Sequence, residues 1–127
     1  MSTRVRDDRG SAIVEFVLVA PILIAVALAV LQIVIAMHVR TVLTAAAAEG
    51  ARAAALAGAD SHAGERRARA IIDETIASSS VEQISVHSMR SGGVSIMAID
   101  IDARLPMIGL FGPTALHVQG HSLQEHV

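Results

Sequence analysis

From Phe16 to Met37 the chain reads FVLVAPILIAVALAVLQIVIAM, a run of twenty-two residues without a charge in which Gln32 is the only polar side chain. At about 1.5 Å of rise per residue, a helix of that length extends about 33 Å, enough to cross a hydrocarbon core of about 30 Å. The run predicts a transmembrane helix. The alternative is a buried helix of a soluble protein, but apolar runs of that kind are shorter, about 10 to 14 residues. Pro21, near the start, removes one backbone donor and can bend the helix, which membrane helices tolerate where neighbours or local adjustments compensate.

The rest of the composition fits this concentration of apolar residues. The chain has 127 residues, 53% of them hydrophobic and only 2% aromatic, with two Phe and no Trp or Tyr. Such a length holds one modest domain, and the near absence of aromatics argues against a conventionally packed core. High aliphatic content and a formal charge of −2 exclude a disordered chain. Ten Arg against twelve acids leave no basic field, and there are no aromatic rows on which bases could stack, so nucleic acid is not an expected partner. Zero Cys removes disulfides, thiolate metal sites and thiol catalysis together.

Ahead of the run, MSTRVRDDRG carries Arg4, Arg6 and Arg9 against Asp7 and Asp8, while His38 and Arg40 follow it. Arginines flanking a first span tend to stay on the cytoplasmic side and acids count for little, so the amino terminus is expected inside and the bulk outside. Within this junction Glu15 stands out as a carboxylate at the mouth of an apolar helix. An ionisable side chain there costs several kcal/mol (roughly) unless paired or held near the interface, and is by default a functional candidate.

The run RGSAIVEFVLVAPIL, Arg9 to Leu23, resembles the class III signal junction of type IV prepilins and pseudopilins. Taken with AAAAEGARAAALAG, Ala45 to Gly58, it resembles more specifically the TadE-like family of Tad (Flp) pilus assembly proteins. The residues that carry the likeness are Gly10, Glu15, Phe16, Pro21 and the motif Glu49-Gly50-Ala51-Arg52, in that order. The resemblance implies cleavage between Gly10 and Ser11 by a prepilin peptidase, a membrane aspartyl protease. That leaves an ammonium on Ser11 and places Glu15 at mature position five. A carboxylate and an α-amine so disposed are self-complementary, since Glu15 of one subunit can neutralise the Ser11 amine of the next. The implied partners are other Tad pilins or pseudopilins, assembly platform proteins and the bilayer; the implied role is a minor pilin-like subunit in biogenesis of a type IVb pilus. Loss of the leader, with three Arg and two Asp, takes the formal charge from −2 to −3.

A conventional secretory signal is the competing processing route, because Ala25-Val26-Ala27 and Ala27-Leu28-Ala29 have small-x-small character. Against it, the apolar stretch exceeds an h-region of about 7 to 15 residues and continues past those alanines. The competing function is accordingly a secreted or membrane-anchored non-catalytic binding module.

Beyond the span, Thr41 to Ala57 is alanine-rich, lacks proline and ends at Gly58, which predicts continuation of the same helix. Ala46, Gly50, Ala54 and Gly58 form a small-xxx-small row along which another helix could approach, and Glu49 and Arg52 can pair on one face. Asp60 to Gly64 reads as a turn with Ser61 as cap, followed by an amphipathic helix from about Ala63 to Ala77 whose apolar stripe is Ala68, Ile71, Ile72 and Ile76. After Ser78-Ser79-Ser80 the period becomes two. Val81 to Arg90 and Val94 to Leu105 predict a hairpin around Ser91-Gly92-Gly93, with Met97, Ile99, Ile101, Ala103 and Leu105 on one face. Pro106 to Pro113 reads as a loop with apolar residues able to cover the sheet, and Ala115 to Leu123 as a third strand.

The expected fold is thus α+β: a long transmembrane helix continuing outside the membrane, a second amphipathic helix and a small three-stranded antiparallel sheet. Its expected parts are a leader at 1–10, the span at 11–37, a helical extension at 38–59 and an extracytoplasmic domain at 60–127. Asp100 and Asp102 read as a wet sheet face, since two carboxylates fall short of the six to eight oxygens (roughly) that Ca²⁺ takes. His117 and His121 are about 13 Å apart on an extended strand, too far to share a metal. There is no phosphate-binding glycine loop and no nucleophile with a recognisable base, so neither an enzyme nor a cofactor is expected.

Overall fold

The computed structural model describes residues 8–58, 60–76, 81–105 and 114–123. Its elements are α1 (Asp8–Leu56), α2 (Ser61–Thr75), β1 (Val81–Ser91), β2 (Val94–Leu105) and β3 (Thr114–Leu123). The triple serine and the Pro106 to Pro113 segment lie outside the described residues.

Helix α1 is a single element of 49 residues with Pro21 inside it. The hydroxyls of Thr41 and Thr44 donate to the carbonyls of Met37 and Arg40 at 2.9 and 2.8 Å, so these polar groups are satisfied by the helix itself. The helix closes where the Ala57 amide donates to the Ala53 carbonyl and Gly58 turns to φ 72°.

The chain divides into two units, one reaching to Val34 and the other beginning at Ile35. In the first, no side chain from Gly10 to Val34 is buried. Val17, Leu18, Ile22, Leu23 and Ile24 are each 60% or more exposed. A core helix of a soluble protein hides one face at least; this one hides none.

The second unit holds the core. Along α1, Val39, Leu43, Ala46, Ala47 and Ala51 are buried and meet Ala68 and Ile72 of α2 and Ile99, Ile101, Ala103, Leu105 and Val118 of the sheet. Helix α2 begins earlier than the sequence predicts. The residues from Ser61 onward are helical, and the cap is Asp60, whose carboxylate accepts from the His62 amide at 3.0 Å. An aspartate in the extended region just ahead of a helix satisfies one of the first free amides, and this displaces the expected Ser61 cap and the Asp60 to Gly64 turn. Gly64, Ala68 and Ile72, four apart, form its buried stripe, with Ile71 and Ile76 packed at the margin as expected.

The sheet has the order β1-β2-β3 with both pairings antiparallel. Between Ser91 and Val94, which pair, Gly92 and Gly93 take φ of 59° and 86°. Two successive positive φ values are what a tight type I′ hairpin requires, and they suit the right-handed twist of the strands it joins. The predicted apolar face of β2 is the inner one: Met97, Ile99, Ile101, Ala103 and Leu105 are all buried. Val118 and Gly120 of β3 share it.

The small-residue row of α1 is occupied by the chain itself. A Cβ on Gly50 would lie 2.6 Å from the Ile99 side chain and 2.8 Å from the Gly64 carbonyl. One on Gly64 would lie 2.8 Å from Ala54 Cβ. The helix that approaches Ala46, Gly50 and Ala54 is therefore α2. Gly58, the fourth member of the expected row, has nothing within 4 Å of its would-be Cβ and serves at the helix end instead.

Candidate assembly site

Gly10 and Ser11 lie in the first turn of α1, both exposed. A first helical turn leaves its amides without partners within the helix and frays readily. Glu15 follows on the same face as Ser11, four residues on, and its side chain is exposed. Among the described residues it makes no ion pair. Phe16 is 71% exposed, and Pro21 is exposed inside the helix. The ends of the apolar helix thus present a carboxylate, an aromatic ring and an uncovered aliphatic surface to whatever surrounds them.

The downstream motif has a different environment. Gly50 is buried where α1, α2 and β2 meet, whereas Glu49 and Arg52 lie on the outside and pair at 3.9 Å. With both side chains largely in water, that pair contributes little to stability. The motif thus joins a steric requirement at Gly50 to two charges left on the surface.

Among the described residues one helix, Gly10–Leu56, is long and apolar enough to cross a membrane, and its most apolar window is wholly uncovered. Residues 10–52 match the family model described as TadE-like protein. This segment resembles that family. The match begins at Gly10 and ends at Arg52, spanning both the junction and the Glu49-Gly50-Ala51-Arg52 motif and about a third of the chain. No curated protein and no solved structure matches the chain. Helix α2 and the sheet lie outside the TadE-like segment, although Gly50, within it, is shaped to receive both.

A second constellation, on the outer sheet face, escapes the sequence reading. Asp102 pairs in register with His117, and Asp100 with Gln119 on one side and Ser85 on the other. His117 Nδ1 lies 2.8 Å from Asp102 Oδ1, and its Nε2 lies 3.5 Å from Asp100 Oδ1. From the opposite edge, His87 Nδ1 lies 3.3 Å from Asp100 Oδ2. The Asp100 side chain is only 17% exposed, and its Oδ1 is buried without a hydrogen-bond partner. The expectation of a wet sheet face thus holds for Asp102, whose side chain is 48% exposed, and is corrected for Asp100. The hydrogen bond that His117 donates to Asp102 raises the His117 pKa above its ordinary value; partial desolvation opposes this, and the charges of Asp102 and Asp100 reinforce it. Arg104, two residues beyond Asp102 on the same strand face, pairs with Glu82 at 2.8 Å. Strand alternation alone puts these residues on one face; which imidazole meets which carboxylate depends on the β2–β3 register. Among the described residues, no three or more His, Asp or Glu side chains are arranged to hold a metal ion.

Proposed function

We propose that the chain is a pseudopilin, a minor pilin-like subunit acting in biogenesis of a Tad (Flp) type IVb pilus. The observation that carries this reading is the coincidence of a TadE-like segment at residues 10–52 with an apolar helix that the chain leaves uncovered. A prepilin peptidase removes the leader after Gly10, and the new Ser11 ammonium and the Glu15 carboxylate stand on one helix face. A neighbouring helix displaced along the axis meets both charges, so association neutralises groups that would otherwise lie unpaired at the lipid boundary. The three leader arginines hold the amino terminus in the cytoplasm and place the α+β domain outside. That domain selects partners among other pilins and platform proteins. The work is association rather than catalysis.

Mass spectrometry of the protein from native membranes tests this directly. The expected mature chain begins at Ser11, and Glu15→Gln is cleaved yet enters filaments or their assembly complex poorly. A chain that retains Met1, or one that begins after Ala27 and is recovered as soluble protein, overturns the reading in favour of an uncleaved anchor or a secreted binding module.

A further inference from the structure

The outer face of the sheet carries an alternating row of bases and acids that crosses all three strands: His87 on β1, Asp100 and Asp102 on β2, His117 on β3. Each carboxylate faces at least one imidazole nitrogen within 3.5 Å, and His117 reaches both carboxylates, one through each ring nitrogen. A neutral imidazole carries a single N–H. In that form His117 donates to one aspartate only, and its lone pair faces the other. Two carboxylates two residues apart then repel on one strand face, and the less exposed one keeps an oxygen without a donor. Once protonated, the same ring donates from both nitrogens and closes the row.

We propose that this row is a proton-operated clamp, fastening β3 to β2 when the His117 imidazole is charged and loosening β3 when it loses its proton. The remaining charged groups on the same face do not take over the function. Arg104 is engaged by Glu82, and His121, opposite Ala98, makes no ion pair among the described residues. What the clamp holds is visible on the inner side of β3. A Cβ on Gly120 would collide with the Ala47 backbone, so this strand lies directly on α1. Retention of β3 therefore controls both the cover of α1 and the availability of the β2 edge for pairing.

The sign of the pH dependence follows from the raised pKa of His117. The stabilisation is fully present below the ordinary histidine value of about 6.5 and is lost as the pH rises through the higher folded-state value. The test uses the full chain in detergent micelles. Backbone hydrogen exchange of β3, corrected for the intrinsic base catalysis of exchange, is expected to show greater protection at about pH 6 than at about pH 8. Asp102→Asn and His117→Gln are each expected to abolish this difference, and His121→Gln to preserve it. Equal protection of β3 at both pH values in the wild type, or the same difference surviving in Asp102→Asn, overturns the proposal. Should the substitutions disturb folding, NMR titration of the wild-type His117 ring decides alone: a midpoint above the free-histidine value is required, and one at or below it overturns the clamp. None of these readouts depends on pilus assembly, so the clamp and the pseudopilin reading stand or fall separately.

Discussion

At Gly50 and Gly120 two parts of the backbone come closer than a side chain allows. A methyl group on Gly50 meets the Gly64 carbonyl at 2.8 Å, and one on Gly120 collides with the Ala47 carbonyl carbon. Neither obstacle is the free end of a flexible side chain, so the backbones have to separate. Gly50→Ala gains about 1 kcal/mol of helix propensity. Gly50→Val has less to gain and more to fit, so we expect it to lose about 1 to 3 kcal/mol, with Gly120→Val at least as costly, read as lowered denaturation midpoints in detergent. Gly10 is the contrast. Nothing lies within 4 Å of its would-be Cβ, so Gly10→Ala should leave the fold intact, and an accumulation of uncleaved precursor in that variant would report on the peptidase alone. The tetrapeptide Glu49-Gly50-Ala51-Arg52 could be picked out in the sequence, but not the reason for its glycine, because the atoms that crowd it belong to Gly64, Ala68 and Ile99, far along the chain.

Among the elements, α2 shows how a cap and a stripe divide the work. Asp60 fixes where the helix begins, and Gly64, Ala68 and Ile72 fix which side faces inward. Asp60→Ala is expected to lower stability by about 1 kcal/mol through loss of the bond to the His62 amide. Ile72→Ala, at a position 1% exposed, should cost about 2 to 5 kcal/mol by leaving a cavity. Thermal unfolding followed by circular dichroism distinguishes the two magnitudes. The apolar stripe was legible because its spacing is local. The start of the helix was not, since Asp60 and Ser61 are both good caps and only the backbone path into the helix decides between them. In the sheet the reverse holds for the hairpin: Gly92-Gly93 between two alternating runs sets the β1–β2 register from Ser91 back to Gln83, beyond which it shifts by one residue at Glu82.

For the whole molecule, the governing fact is that no side chain from Gly10 to Val34 is buried within the chain, while residues from Ile35 onward build a core. The first unit needs lipid or other helices as its solvent. A charge in its middle, as in Leu28→Arg, carries an insertion cost of about 2.5 to 3.5 kcal/mol, and we expect that variant to shift from the carbonate-resistant membrane fraction toward the soluble or degraded pool. The family match ends at Arg52, so α2 and the sheet lie beyond the segment that carries the likeness. The span, the two-helix and three-strand order, the inner face of β2 and the Glu49–Arg52 pair all follow from the sequence, because each depends on residues within a few positions of one another, where helical and strand periodicities hold. The tertiary structure alone decided that α2 fills the small-residue row of α1 and that His117 meets Asp102 rather than standing alone. Those contacts join segments distant in sequence, and their register is set by burying all the apolar faces at once, a condition that no local period encodes.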